Sequence, residues 1–392
     1  MLFDGTLPSS ALAGLSQQSL SIYLHVPFCR SRCGYCDFNT YTASELRGMS
    51  TGDYLAAVLQ EITLAARVLG SEAPEVTTVF VGGGTPTMLQ AGELSRLLDA
   101  IRECFGLVCD AEITTEANPE TVTPEYLRRL REAGFTRISL GMQSAVPHVL
   151  EVLERAHTPG RGLEAAHWAR QAGFEHVSLD LIFGTPGEST TDWEESLEAV
   201  AAAPVDHVSA YSLIVEQGTR LAMRVRRGEV PMPDDDELAE KYLVTEQHLT
   251  ALGFSNYETS NWARTPAARC RHNLAYWRGG NWWGIGPGAH SHIGGVRFWN
   301  RKHPRSYAAA LADGHTPAQG REALSPEDRR VERVMLELRL AEGLPLGVLT
   351  ETEATRVDGI VAEGLGVVAE GRLALTLRGR LLADGVVLRL LD

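Results

Sequence analysis

Apolar and polar positions repeat one pattern from about residue 20 to residue 216. A short run rich in β-branched and apolar residues is followed by a loop, then by a segment whose apolar positions recur at helical spacing. The runs predict strands over 21–27, 77–81, 112–115, 137–140, 176–182 and 207–213. The intervening segments predict helices over 53–69, 91–104, 124–133, 162–172 and 191–202. Strands that alternate with crossover helices of this length pair in parallel. Six such units predict an α/β fold, an incomplete TIM-type (β/α)6 barrel.

After Glu216 the pattern changes. Residues 233–252 predict a helix, and 261–300 form an aromatic- and glycine-rich stretch. A further helix is expected over 326–339, with Ser325 as N-cap and Glu327 and Asp328 in its first turn. Beyond a turn at 343–347, residues 350–359 continue a small helical module. The alternating run 367–377, with 385–391, predicts a two-stranded wing. The resulting organisation is a short N-terminal segment (1–20), the barrel (21–230), a helical and aromatic-rich extension (231–324) and a winged-helix-like α+β domain (325–392).

Charge and composition narrow the function. The chain has 392 residues, 44% of them hydrophobic, and a formal charge of −14 at pH 7. That balance argues against a nucleic-acid partner, so the wing reads as a structural or protein-docking module. No run approaches the roughly 18 apolar residues of a membrane span. The N-terminus carries Asp4 and no positive region, so no secretory signal is expected. Three of the six cysteines crowd between residues 29 and 36. That distribution points away from a disulfide framework and toward a reducing cytoplasm.

The run SIYLHVPFCRSRCGYCDFN places Cys29, Cys33 and Cys36 in a C-x3-C-x2-C loop directly after the first predicted strand. Three thiolates so spaced can ligate three irons of a cubane cluster and leave the fourth open to a small chelating ligand. A structural zinc would require four ligands, and no second C-x2-C knuckle follows. Cys104, Cys109 and Cys270 are scattered and read as core or incidental thiols. Further polar or glycine positions fall at the ends of later strands, on the rim where such barrels build sites. Gly83, Gly84 and Thr85 follow the second strand, where missing side chains admit close backbone approach to a ligand. No Gly-Lys-Ser/Thr follows, so this is not a phosphate loop. Glu116 ends the third strand, Gln143 the fourth with Arg155 beyond it, and the fifth carries Asp180. Singly, each suits a strand-end residue that satisfies backbone groups. Together, on consecutive strand ends, they favour a cofactor site.

The cysteine loop, with Tyr35 before its last cysteine, resembles the radical-SAM superfamily. The run Tyr23-x-His25-Val26-Pro27-Phe28-Cys29 resembles, more narrowly, the oxygen-independent coproporphyrinogen III oxidase group. The resemblance implies a [4Fe–4S] cluster on the three cysteines, S-adenosylmethionine at its open iron, and an electron donor for the cluster. It places Tyr23 near the cofactor, the glycine loop at the methionyl ammonium and Glu116 at the ribose diol. It also implies contacts from Gln143, Arg155 and Asp180, the arginine through the cofactor carboxylate. Tyr211, Ser212 and Ile285 follow with looser spacing.

Two departures bear on the branch. Enzymes of this group that decarboxylate their substrate carry a further cysteine where this chain has Phe38, and a longer N-terminal extension than residues 1–20. Conversely, Cys270–Trp277 contains H-N-x-x-Y-W and, with Gly284–Ser291, is similar to the haem-chaperone branch. That likeness implies haem binding and transfer to respiratory acceptor proteins. Trp277, Trp282, Trp283, Phe298 and Trp299 offer flat apolar surfaces, and a neutral imidazole can ligate iron. His272 is therefore the candidate haem contact or, alternatively, a turn cap; His290 and His292 stand behind it. His25 is expected to orient the cysteine loop. The alternative function is that of an enzyme, an anaerobic coproporphyrinogen III dehydrogenase or a radical-SAM oxidoreductase acting on another substrate.

Overall fold

The computed structural model describes residues 5–46, 48–71, 73–155 and 158–392. A short helix α1 (Ser9–Leu12) precedes the first strand. The six expected strands are β1 (Leu20–Val26), β2 (Val76–Gly83), β3 (Leu107–Ala117), β4 (Arg137–Gln143), β5 (His176–Phe183) and β6 (His207–Ser212). They pair in parallel in chain order, with Tyr23 opposite Phe80, Glu116 opposite Ser139 and Asp180 opposite Ser209. The crossover helices are α2 (Thr51–Leu69), α3 (Ala91–Phe105), α4 (Pro124–Ala133), α5 (Pro147–Val152), α6 (Arg161–Gln171) and α7 (Thr190–Ala202). Reciprocal caps start three of them, Ser50 with Asp53 on α2, Gln90 with Glu93 on α3 and Ser189 with Asp192 on α7. Each pair satisfies amides that the first turn leaves without partners.

Strand alternation sorts side chains onto two faces. Ile22, Leu24, Val79, Val81, Ile138, Leu140, Leu179 and Val208 belong to the apolar core shared with the helices. The opposite face is polar, and its side chains meet across strands. Thr78 donates to Ser21, Ser139 to Asp180, and Ser178 pairs with His207. An interior of this kind is stable only where its polar groups find partners.

β1 and β6 do not meet, and later strands take up both free edges. Helices α8 (Arg220–Arg226) and α9 (Asp235–Ala251) lead into β7 (Ser255–Glu258) and β8 (Asn261–Ala263); β8 adds antiparallel to β6, and β7 antiparallel to β8. After α10 (Arg271–Trp277), strand β9 (Asn281–Ile285) pairs in parallel with β1. β10 (His290–Ile293), β11 (Val296–Asn300) and, past α11 (Pro304–Ala312), β12 (Ala318–Ala323) continue outward. The result is one open sheet of twelve strands.

The N-terminal ends of the barrel strands are closed by α10 and the residues before it. Buried Arg137 pairs with Glu112 at 3.2 Å and donates to the carbonyls of Ala268 (2.7 Å) and Arg269 (3.1 Å). Glu112 in turn accepts the amides of Arg271 (3.1 Å) and His272 (3.0 Å). Burial pushes the Glu112 carboxyl up, but the Arg137 charge and the two amides outweigh it and hold the group below its ordinary value.

The C-terminal module has its own core, including Val334, Leu338, Ile360, Leu373 and Leu390. Helix α12 (Pro326–Glu337) starts on the expected Ser325 cap, reciprocated by Asp328. Then follow β13 (Leu344–Pro345), α13 (Glu351–Ala354), α14 (Val357–Ala362), β14 (Gly366–Ala369), β15 (Arg372–Leu375), α15 (Leu377–Leu381) and α16 (Ala383–Leu391). The wing differs from expectation. The run 367–377 folds back on itself at Glu370 and Gly371, whose φ values of 51° and 73° make a two-residue hairpin turn. Residues 385–391 form helix, because Val386, Val387 and Leu390 bury one helical face. No described helix is long and apolar enough to cross a membrane.

Glu61 on α2 is a buried joint between the helical layer and the edge strands. It accepts from Tyr307 Oη (2.5 Å), the Gly286 amide (2.7 Å) and Asn300 Nδ2 (2.7 Å). Burial pushes its carboxyl up to about 7 against the pull of those donors. The protonated form therefore stabilises the fold fully below the ordinary value of 4.5, and that contribution is lost as pH rises through about 7. In urea unfolding, the wild type should lose about 3 kcal/mol relative to Glu61→Gln across this window. Parallel pH profiles for the two proteins would exclude Glu61 as the titrating group.

Candidate functional site

β1 delivers the chain into the cysteine loop, which closes on itself. The Cys29 amide donates to the Tyr41 carbonyl (3.0 Å) and the Tyr41 amide to the Pro27 carbonyl (2.7 Å). His25 braces this loop, in line with its expected role. Its Nε2 lies 3.0 Å from the Asn39 carbonyl, and its Nδ1 lies 3.0 Å from Tyr23 Oη. Burial lowers the imidazole pKa, so the ring is neutral, with Nε2–H donating to Asn39 and the Tyr23 hydroxyl donating to Nδ1. Asn39 Nδ2 then donates to the carbonyls of Pro287 (3.0 Å) and Lys302 (2.8 Å), tying the loop to the edge strands.

The glycine loop lies directly against the cysteine loop. Gly84 N donates to the Val26 carbonyl and Thr85 N to the Phe28 carbonyl, each at 2.8 Å. A Cβ on Gly84 would stand 2.6 Å from the Phe28 oxygen and 2.9 Å from Cys29 Sγ. One on Gly83, whose φ is +113°, would stand 2.6 Å from the His25 ring. Both positions need glycine for loop-to-loop packing. The Gly83 amide donates to Glu116 Oε2 at 3.0 Å.

Two carboxyl groups line the same cavity as the cysteines. Burial and then the Asp180 charge push Glu116 up to about 8, against the Gly83 amide. Asp180 is likewise raised by burial, opposed by the Ser139 hydroxyl at 2.7 and 2.8 Å from its two oxygens. Gln143 holds φ at +68°, a left-handed conformation uncommon outside glycine and frequent where function demands strain. Arg155 Nη1 reaches Cys33 Sγ at 3.4 Å and Nη2 reaches the Gly141 carbonyl at 3.0 Å. A side chain at Gly141 would collide with both Arg155 and Gln143.

These groups line one cavity of about 1040 Å³: Cys29, Cys33, Cys36, Gly83, Gly84, Thr85, Glu116, Gln143, Arg155 and Asp180, with Tyr211 and Ser212. Ser139 and Phe38 also face it. Ser139 escaped sequence reasoning, although the alternation Arg137-Ile138-Ser139-Leu140-Gly141 marks it as sharing the face of Arg137. Tyr23 lies behind the cavity wall, its hydroxyl committed to His25 and its ring 6.3 Å from that of Phe80. Ile285 is buried where β9 pairs with Leu24 and does not reach the cavity.

The residues present fit an iron–sulfur cluster. Burial raises the thiols of Cys29 and Cys36, and repulsion from the other cysteines in the loop adds to it. A cationic iron core would relieve both effects. Among the described residues no three His, Cys, Asp or Glu side chains gather around a point as a single ion requires. A cubane, with its irons apart, asks instead for thiols distributed along one wall.

His272 does not join them. It lies buried at the opposite end of the strands, with Nδ1 2.7 Å from Thr78 Oγ1 and Nε2 2.9 Å from Tyr276 Oη. Its ring stacks on Phe80 at 5.1 Å, and burial lowers its pKa to about 4. Both nitrogens are occupied, so iron ligation would require breaking the bond to Tyr276. The expected flat surfaces are also elsewhere. Trp283 packs edge-on to Phe298 in the core, Trp282 contacts Tyr276 and His292, and Trp299 stacks on His290. Trp277 packs into a small cluster with Tyr257 and Leu340. Neither His290 nor His292 lines the cavity.

Comparison with known proteins agrees with this geometry. The profile of the radical SAM superfamily matches residues 23–200. A protein named "Heme chaperone HemW" from Mycobacterium tuberculosis is 53% identical over 380 residues, 97% of each chain. A protein of the same name from Escherichia coli is 33% identical, over 94% of this chain and 97% of its own. Among solved structures, coproporphyrinogen III oxidase (HemN) from Escherichia coli, a radical SAM enzyme, matches with a TM-score of 0.82 at 25% identity. That match covers 97% of this chain and 92% of the other. With identity running the whole length and the cysteine loop set on the barrel rim, the chain belongs to the radical SAM superfamily and, within it, to the HemW heme chaperone family.

Proposed function

We propose that this protein is a cytoplasmic haem chaperone. It holds a [4Fe–4S] cluster on Cys29, Cys33 and Cys36 and S-adenosylmethionine beside it, and passes haem to respiratory acceptor proteins. The observation that carries the cofactor reading is the cavity, which three thiols, Arg155 lying against Cys33, and two carboxyl groups line together. The haem reading is supported by the full-length likeness to proteins named heme chaperones. When bound, the reduced cluster supplies the electron that can cleave the sulfonium of the cofactor, and an electron-donor protein must reload it.

The chain's own residues do the positioning. Arg155 lies over Cys33, a rigid cation that would pair with the carboxylate of a cofactor held there. Glu116 and Asp180 stand as acceptors for the hydroxyls of a ribose, and their summed charge complements a cationic ligand. His25 and Asn39 keep the cysteine loop in register with the edge strands. The likeness to HemN favours a second reading, an oxygen-independent coproporphyrinogen III dehydrogenase or another radical-SAM oxidoreductase. Phe38, standing in place of the further cysteine, weighs against the dehydrogenase. Anaerobic incubation with coproporphyrinogen, reductant and cofactor tests that choice: no protoporphyrinogen is expected, and its formation would replace the chaperone reading.

Replacing Cys29, Cys33 and Cys36 together by alanine should abolish iron incorporation on anaerobic reconstitution, whereas Cys104→Ala should leave it intact. Equal iron in the triple variant would refute the cluster assignment. Glu116 offers a pH test. A cationic ligand favours its ionised form, so S-adenosylmethionine should bind about tenfold more tightly at pH 9 than at pH 7, measured by anaerobic calorimetry. Glu116→Gln should lose most of that dependence; an unchanged profile would place the cofactor away from Glu116.

A further inference from the structure

The cavity has two ends of different chemistry. Its inner wall is polar, built from Glu116, Ser139, Gln143 and Asp180. Its outer rim is apolar and open: Phe38 is 61% exposed, Ile214 65% and Met88 43%, and all three line the cavity. They converge from separate segments: the cysteine loop, the turn after β2 and the end of β6. Apolar side chains gathered at the mouth of a functional cavity mark a surface that something covers. The volume of about 1040 Å³ stands at the upper end of the roughly 300–1,000 Å³ typical of single-ligand sites, which leaves room beyond a nucleoside-sized occupant. Arg30 is exposed on the same rim, and no ion pair among the described residues involves it. In a chain of net charge −14, an uncommitted guanidinium beside an apolar mouth suits a ligand that is flat, apolar and tipped with carboxylates.

We propose that this rim is the haem platform: one face of the iron tetrapyrrole lies on Phe38, Met88 and Ile214, and a propionate meets Arg30. The proposal rests on the haem-chaperone reading and adds the place. It moves haem from the H-N-x-x-Y-W segment, where His272 is enclosed with both nitrogens bonded, to the mouth above the cluster cavity. It also gives Phe38 a role: the position that departs from the decarboxylating enzymes supplies apolar surface.

The test is a haem titration, followed by absorbance, of the full-length protein reconstituted anaerobically, for wild type, Ile214→Glu, Phe38→Glu and Arg30→Glu. Because Ile214 projects into solvent, its variant should keep wild-type iron content and urea midpoint, and it decides the question even if Phe38→Glu disturbs the cysteine loop. Ile214→Glu and Phe38→Glu should each weaken haem binding on the order of tenfold. Arg30→Glu should weaken it a few-fold, with the effect shrinking at high salt. Saturable wild-type binding that Ile214→Glu leaves unchanged would overturn the platform while sparing the chaperone reading. Absence of saturable binding in the wild type would overturn both.

Discussion

The buried Arg137–Glu112 pair is the constraint on which the architecture turns. A parallel sheet covered by helices on its outer face can leave its inner face polar only if that face is neutralised and hydrogen-bonded. Arg137 and Glu112 do this at the bottom of the barrel, and neither is satisfied by the other alone. Arg137 needs the carbonyls of Ala268 and Arg269; Glu112 needs the amides that open α10. Removing one partner of such a pair characteristically costs about 3–5 kcal/mol, because the other is left charged and enclosed. The pair thus pins α10 under the barrel. From there, the chain departs to form β9 against β1.

That departure links distant parts of the molecule to the cysteine loop. β9 leads to Gly286 and Gly288, where added side chains would strike the His25 carbonyl and Asn39 respectively. Glu61 grips the Gly286 amide from behind, and Asn39 grips the Pro287 carbonyl from in front. The glycine-rich Gly284–Ser291 motif is therefore a packing surface for the loop that carries the thiols. The H-N-x-x-Y-W segment has a parallel structural role. Through His272, Phe80 and Tyr23, rings in contact run up the barrel interior to His25, the first three stacked and the last tilted.

The cavity's electrostatics follow from the same layering. Polar strand positions sit in bands, with the Arg137–Glu112 charge pair lowest and Glu116, Ser139 and Asp180 above it, lining the cavity. The lowest band is internally compensated. The uppermost faces open space with two carboxyl groups that burial disfavours as anions, Glu116 also through the Asp180 charge. Carboxyl groups so perturbed are characteristic of a place built for a ligand rather than for stability. Arg155 and the three thiols line the same cavity.

Much of this was legible without coordinates, for a physical reason. Periodicity is local, so the six strands, their crossover helices and the Ser325 cap follow from neighbours within a few residues. The cysteine spacing is equally local, and the strand-end positions of Glu116, Gln143 and Asp180 need only the knowledge that parallel strands share a rim. Arg155, far in sequence from Cys33, was placed by family resemblance. Tertiary structure alone decided the rest. The edge pairing of β9 with β1 and of β8 with β6 depends on which strands remain uncovered once the barrel has curved. Residues 385–391 read as part of the wing yet fold as helix because Val386, Val387 and Leu390 have a core to enter. His272 looks like a free ligand in the sequence, but Thr78, Phe80 and Tyr276 surround it, and a side chain's partners are a property of the fold, not of its own segment. The apolar rim is likewise invisible in one dimension, since Phe38, Met88 and Ile214 share nothing until three loops bring them to one mouth.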